Sequence, residues 1–174
     1  MELYSEFRSE IKSGDLLAWE IKKINSFIDF LLLLYQKIYR IKYSHVGIAV
    51  VYGNRVFCLE ASSPQVRLVP LSLLGDFYIV KANVKWKKQY DNILLSEIAK
   101  PYSLFDYVRN ILGFKRSSDS LYCSELVANF YLDIAYTFNE DAGLNPSDLV
   151  KEIVKESNNE PIFVKIDRGN NHDI

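Results

Sequence analysis

Apolar and polar residues change period several times along the chain, and each change marks an element. Asp15 to Glu20 (DLLAWE) is a short apolar run after a Ser13–Gly14 turn and predicts a strand. From Asn25 to about Tyr39, Ile24, Phe27, Ile28, Leu31, Leu34, Tyr35 and Ile38 recur at helical spacing. Leu32 and Leu33 fall off that stripe, so this helix is apolar around more of its circumference than a surface helix needs. Two strands follow, His45 to Tyr52 (HVGIAVVY) and Arg55 to Ala61 (RVFCLEA), joined at Gly53–Asn54, a two-residue hairpin signal. Val66 to Leu71 and Phe77 to Ala82 read as further strands, and Lys87 to Ala99 as a helix stopped by Pro101. Gly113 to Ser120 is a polar loop, and a helix is expected from near Ser120 to about Ala135. Asn145-Pro146-Ser147-Asp148 is a helix start with proline in its first turn. Pro161 to Asp167 predicts a closing strand.

A strand-rich middle, then helices, then a last strand, with no internal repeat, predicts an α+β fold with a mainly antiparallel sheet. At 174 residues, 49% hydrophobic and 25% charged, the chain can bury a core of its own. Residues 1–167 are expected to form one domain and residues 168–174 a disordered polar tail. The net charge of −1 offers no basic excess, which disfavours a nucleic-acid partner. Two cysteines are too few for the disulfide framework of a small secreted protein. The start MELYSEFRSEIKSGD lacks a basic stretch followed by an apolar one, so no secretory signal is read and synthesis in a reducing cytosol is expected. Delivery in a virus particle is compatible with that. The run Phe27 to Tyr35 is shorter than the roughly 20 apolar residues of a membrane-spanning helix. Asp29 interrupts it, and Lys22, Lys23, Lys37 and Arg40 close it off.

Candidate chemistry centres on Cys123. Asp119 and Ser120 can cap a helix just before the periodic run Leu126, Val127, Phe130 and Tyr131, which puts Cys123 in a first helical turn. Backbone N–H groups there favour negative charge, so they suit a reactive thiolate and can receive the oxyanion of acyl transfer. His45 opens a strand, and the other histidine, His172, lies in the polar tail. A base for Cys123 would therefore be His45. In a simple register about Gly53–Asn54, His45 faces position 62, and Glu60 lies two residues away on the same strand face. A carboxylate there can accept the second imidazole N–H and fix tautomer and ring orientation. Cys58 shares the face of Glu60 but is read as a small core residue. Two cysteines and one histidine outside the tail do not occur in zinc-ligand spacing, so no metal is expected.

Together, Gly14-Asp15-Leu16-Leu17, Ser44-His45-Val46-Gly47-Ile48, Leu59-Glu60-Ala61, Lys100-Pro101-Tyr102, Tyr122-Cys123-Ser124-Glu125-Leu126-Val127 and Asn145-Pro146-Ser147-Asp148-Leu149 resemble the motifs of the YiiX-like cysteine peptidases. These are permuted relatives of the NlpC-type cell-wall amidases and of lecithin retinol acyltransferase. The motifs stand in family order from Gly14 to Leu149, and SHVGI with YCSELV is the specific combination. The resemblance implies a circularly permuted papain-like fold in which the histidine strand precedes the cysteine helix. It matches Cys123 to the family nucleophile, His45 to its histidine and Glu60 to its third polar residue. It also matches Tyr102 to the tyrosine of the family PY motif, as a hydrogen-bond donor or pocket wall near the nucleophile, or alternatively as core; Tyr102, Tyr122 and Ser124 are the expected substrate-binding or oxyanion region. The apolar stretch from Lys22 to Lys42 lies outside the family motifs.

The expected reaction is amide cleavage on a peptide, an isopeptide or a peptidoglycan stem peptide, through a thioester on Cys123 and without a cofactor. The rivals are a lipid-directed thioesterase or acyltransferase and a non-catalytic binding or virion component that keeps the fold. The helix from Asn25 to Tyr39 is expected to serve substrate access, membrane contact or a protein partner, against the plainer alternative that it is core.

Overall fold

The computed structural model describes residues 1–20, 42–102, 122–134 and 145–167. The helix expected at 25–39, the loop expected at 113–120 and the tail at 168–174 lie outside the described residues. In chain order the described strands and α-helices are β1 (Glu2–Leu3), α1 (Tyr4–Phe7), β2 (Leu16–Trp19), β3 (His45–Tyr52), β4 (Arg55–Ser62), β5 (Gln65–Pro70), β6 (Phe77–Val80), α2 (Lys88–Glu97), α3 (Cys123–Asp133), α4 (Pro146–Ser157) and β7 (Ile162–Lys165).

The strands form one seven-stranded sheet in the order β1-β7-β6-β2-β3-β4-β5. Every neighbouring pair is antiparallel except β1 with β7, which is parallel. The expected α+β fold with a mainly antiparallel sheet is therefore the one observed. Tyr52 pairs with Arg55 across the Gly53–Asn54 turn, and the ladder runs on to Ile48 opposite Leu59, which is the register expected from the turn. The short N-terminal strand β1 is an addition, since two residues carry no period to read.

Alternation along the strands divides the apolar residues between the two sheet faces. Leu16, Val46, Ile48, Leu59 and Val80 lie in the larger core with Leu126, Val127, Phe130 and Tyr131 of α3 and Leu149, Val150 and Ile153 of α4. Their neighbours Leu17, Ala49, Cys58 and Ile79 lie in a second core with Tyr4, Phe7 and Ile11. Helix α3 packs on β3 and β4, the hairpin that carries His45 and Glu60. Among the described residues, no helix is long and apolar enough to cross a membrane.

Two sequence signals act on this frame. Gly14, at φ +92, passes its N–H to the Ala49 carbonyl at 2.9 Å, and its own carbonyl accepts from the Tyr131 hydroxyl at 2.8 Å. The buried Asp15 carboxylate accepts from the Lys12 N–H at 2.9 Å and the Ala82 N–H at 3.3 Å. This pair anchors the end of β2 remote from Trp19, which is the residue facing His45. At the start of α4, Asn145 caps the helix by accepting from the Asp148 N–H at 3.0 Å, with Pro146 in the first turn. Ser147 Oγ then accepts from the N–H groups of Lys42 at 2.9 Å and Tyr43 at 2.7 Å, tying α4 to the residues that lead into β3.

Gly47 is needed for close approach. A Cβ there would collide with Cys58 Sγ and stand 2.9 Å from the Leu59 carbonyl oxygen. The backbone oxygen cannot withdraw without opening the β3–β4 ladder. Gly47→Ala should therefore cost about 1–3 kcal/mol of stability. Denaturant unfolding checks this, and an unchanged midpoint would mean that the two strands separate there without strain.

Candidate active site

Cys123 is the first residue of α3. The sequence places the start of that helix near Ser120, whereas the capping position falls on Tyr122, which is extended at φ −111 and ψ 166 and makes no side-chain cap. Residues able to cap precede the apolar run, but their presence does not locate the turn at which φ and ψ become helical. The displacement strengthens the case for Cys123. It stands at the end of the helix, where the first N–H groups have no acceptor within the helix. The cysteine is buried.

His45 is the first residue of β3, and its side chain keeps 28% of its exposure. Its Nε2 lies 2.7 Å from Glu60 Oε2. The Cys123 side chain lies near enough to the same imidazole to act on its pKa, and with Nε2 engaged by Glu60 the ring nitrogen left for sulfur is Nδ1. The structure thus brings together the three residues singled out from sequence. Burial disfavours the imidazolium, but the hydrogen bonds and negative charge of Cys123 and Glu60 outweigh it and push the His45 pKa up to about 10. Burial also disfavours ionised Glu60, yet the hydrogen bonds and charges of His45 and Arg67 hold its carboxyl below the usual glutamate range.

Arg67 escaped the sequence reading. It faces Glu60 across the β4–β5 ladder. Its Nε and Nη2 donate to Glu60 Oε1 at 2.9 and 2.7 Å. The signal was available: an arginine between Val66 and Leu68, in a strand following the Glu60 strand, is the kind of residue that pairs with an opposed carboxylate. Trp19 is also brought to the site, its ring centroid 5.5 Å from that of His45.

Tyr102, Tyr122 and Ser124 have different surroundings. Tyr102 is half-buried against the larger core, and its N–H donates to the Pro64 carbonyl at 3.0 Å. Burial, with the charge of Cys123 adding to it, pushes its phenol up to about 12, so the hydroxyl keeps its proton and can donate. Tyr122 is half-buried directly before the cysteine. The Ser124 side chain is fully buried with no hydrogen-bond partner among the described residues, so what it offers a substrate is its backbone N–H. Cys58 is fully buried in the second core, as expected, and burial raises its thiol well above the ordinary range. Both cysteines are free. Among the described residues no group of His, Cys, Asp and Glu side chains is arranged to hold a metal ion.

A cysteine at a helix N-terminus, facing a histidine on a strand that precedes it in sequence, defines the permuted papain-like class of cysteine hydrolases. The family model for the permuted papain-like amidases of the YaeF/YiiX type, the C92 peptidases, matches residues 11–157. The chain belongs to that family of cysteine peptidases and amidases. The crystal structure of the metalloprotein YiiX from Escherichia coli O157:H7 is similar in fold, with a TM-score of 0.52 and 19% identity over 90% of this chain and 89% of that one. No curated protein sequence matches the chain significantly.

The charge arrangement carries a sign. His45, with its raised pKa, stabilises the fold fully below the ordinary imidazole value of 6.5, and that contribution is lost as pH rises through about 10. Glu60, with its lowered pKa, stabilises the fold above the ordinary glutamate range, and its contribution is lost as pH falls through the depressed value. In a His172→Ala background, the His45 ring should stay protonated from pH 6 to about 9 by nitrogen-15 NMR. Glu60→Gln should move the midpoint down, and a wild-type midpoint near the ordinary value would contradict the arrangement. Iodoacetamide should label Cys123 well before Cys58, because Cys58 has neither solvent access nor a base. Peptide mapping decides between them, and faster labelling of Cys58 would remove Cys123 as the reactive thiol.

Proposed function

We propose that this protein cleaves an amide bond in a peptide, an isopeptide or a peptidoglycan stem peptide, through a thioester on Cys123. The observation that carries this reading is the grouping of Cys123, His45 and Glu60, with His45 Nε2 2.7 Å from Glu60 and the cysteine at the first position of a helix. Membership of an amidase family supports the choice of an amide substrate.

His45 takes the thiol proton, and the raised basicity of its ring favours the resulting ion pair. The Cys123 sulfur attacks the carbonyl carbon. Negative charge passes to the carbonyl oxygen, and N–H groups of the first turn of α3 are oriented to receive it. As the tetrahedral species collapses, the C–N bond breaks and His45 delivers its proton to the leaving amine. Water, deprotonated by His45, then attacks the thioester. The acid is released, and the proton returns to Cys123. Glu60 does not meet the substrate. It holds Nε2 so that Nδ1 stays aimed at sulfur. Tyr102, Tyr122 and the Ser124 N–H border the nucleophile, where Tyr102 acts as a hydrogen-bond donor or pocket wall.

The test is incubation with a panel of amide, ester and lipid substrates, followed by mass spectrometry of the acyl group held on Cys123. Acyl groups from amides uphold the proposal, acyl groups from lipids alone point to a lipid-directed thioesterase or acyltransferase, and none from any substrate points to a non-catalytic fold. Cys123→Ser and His45→Ala should each lower turnover at least about a hundredfold while leaving the domain folded. Glu60→Gln should retain partial activity, because it acts through the histidine. Unchanged turnover in His45→Ala would remove the proposed base.

A further inference from the structure

We propose that Arg67 is a positioning residue of this site, holding Glu60 ionised and fixed in rotation so that Oε2 faces His45. The inference rests on the hydrolase reading above for its kinetic consequence, but not for its electrostatic one.

The geometry divides the carboxylate between two partners. Oε1 receives both Arg67 donors, Nε at 2.9 Å and Nη2 at 2.7 Å, while Oε2 receives His45 Nε2 at 2.7 Å. A rotation of the carboxylate would disturb both contacts together, so arginine on one oxygen fixes the direction in which the other presents its lone pairs. The ladder places Arg67 directly opposite Glu60, so the contact follows from strand register. Glu60 keeps only 4% of its side-chain exposure, whereas Arg67 keeps 43%. The carboxylate is therefore shielded from water and depends on its partners for its charge. The arginine can be replaced without opening the core.

Among the described residues, the other titratable groups near Glu60 are few. Cys58 shares its strand, and its raised thiol stays neutral there. From β3 there is His45, and beyond it Cys123 of α3, which in turn faces Tyr102 with its protonated phenol. Arg67 is thus the fixed cation of the set. A nearby cation lowers the pKa of every group around it, carboxyl and imidazole alike. Its removal should raise both. Glu60 would become easier to protonate, and imidazolium harder to deprotonate as it passes its proton to a leaving amine.

The variants are Arg67→Met, which keeps an apolar stem, and Arg67→Lys, which keeps charge but loses the converging pair of donors. The measurements are carbon-13 titration of the Glu60 carboxyl, nitrogen-15 titration of His45 in a His172→Ala background, thermal melting, and kcat and KM on an amide substrate. Arg67→Met should raise both titration midpoints by roughly one unit. It should lower kcat roughly tenfold at neutral pH, with KM within about twofold. Arg67→Lys should restore the midpoints most of the way and kcat in part. Lower melting temperature with unmoved titrations would reduce Arg67 to a strand-pair contact and overturn the proposal. So would a raised KM at unchanged kcat, the mark of a substrate-binding residue. Titrations that move as described, with no amide turned over by the parent protein, would uphold the positioning role and count against the hydrolase reading alone.

Discussion

The antiparallel pairing of β3 with β4 sets where His45 and Glu60 stand, and the remaining parts of the site are hung on that hairpin. The Gly53–Asn54 turn fixes the register, and the absence of a side chain at Gly47 lets the strands close against Cys58 Sγ and the Leu59 carbonyl. Because side chains alternate with period two, a slip of one residue would move Glu60 to the other face of the sheet. The site therefore depends on a register that the apolar residues of both faces enforce, Ile48 and Leu59 toward one core, Ala49 and Cys58 toward the other.

The cysteine is brought to that hairpin by packing. Leu126, Val127, Phe130 and Tyr131 bury α3 in the larger core, against the strands of the hairpin, and so hold the first residue of the helix against His45. Tyr131 also bonds the Gly14 carbonyl, and Ser147 of α4 clamps the residues just before the histidine strand. Motifs outside the reacting groups thus serve to hold one helix end and one strand end together. A near-attack geometry tolerates displacements of only a fraction of an ångström, which is reason enough for so many anchors to surround three side chains.

Electrostatically the site is a chain of alternating character: Arg67, Glu60, His45 and Cys123. Burial works against the charge on Glu60 and His45, and each keeps it through its neighbours. A buried carboxylate with a single partner would be costly, whereas one held by an arginine on one oxygen and a histidine on the other is satisfied on both.

Much of this was legible in local sequence. The hairpin followed from a turn dipeptide between two apolar runs, so the proximity of His45 and Glu60 followed from counting residues. The helix at Asn145–Pro146 followed from its cap and its proline. The chemistry of Cys123 followed from its place before an apolar-periodic run, although the helix begins at the cysteine itself and not at Ser120. These features depend on neighbours within a few residues, where backbone geometry and side-chain period are sufficient. Tertiary structure alone decided the rest. The approach of Cys123 to His45 joins residues 78 positions apart, and only the packing of α3 on the sheet creates it. The pairing of Arg67 with Glu60 needs the register of a second hairpin, whose Ser63–Pro64 turn carries no glycine to mark it. The sharing of one carboxylate between arginine and histidine depends on distances of a few ångströms across three strands, and a one-dimensional pattern holds no record of them.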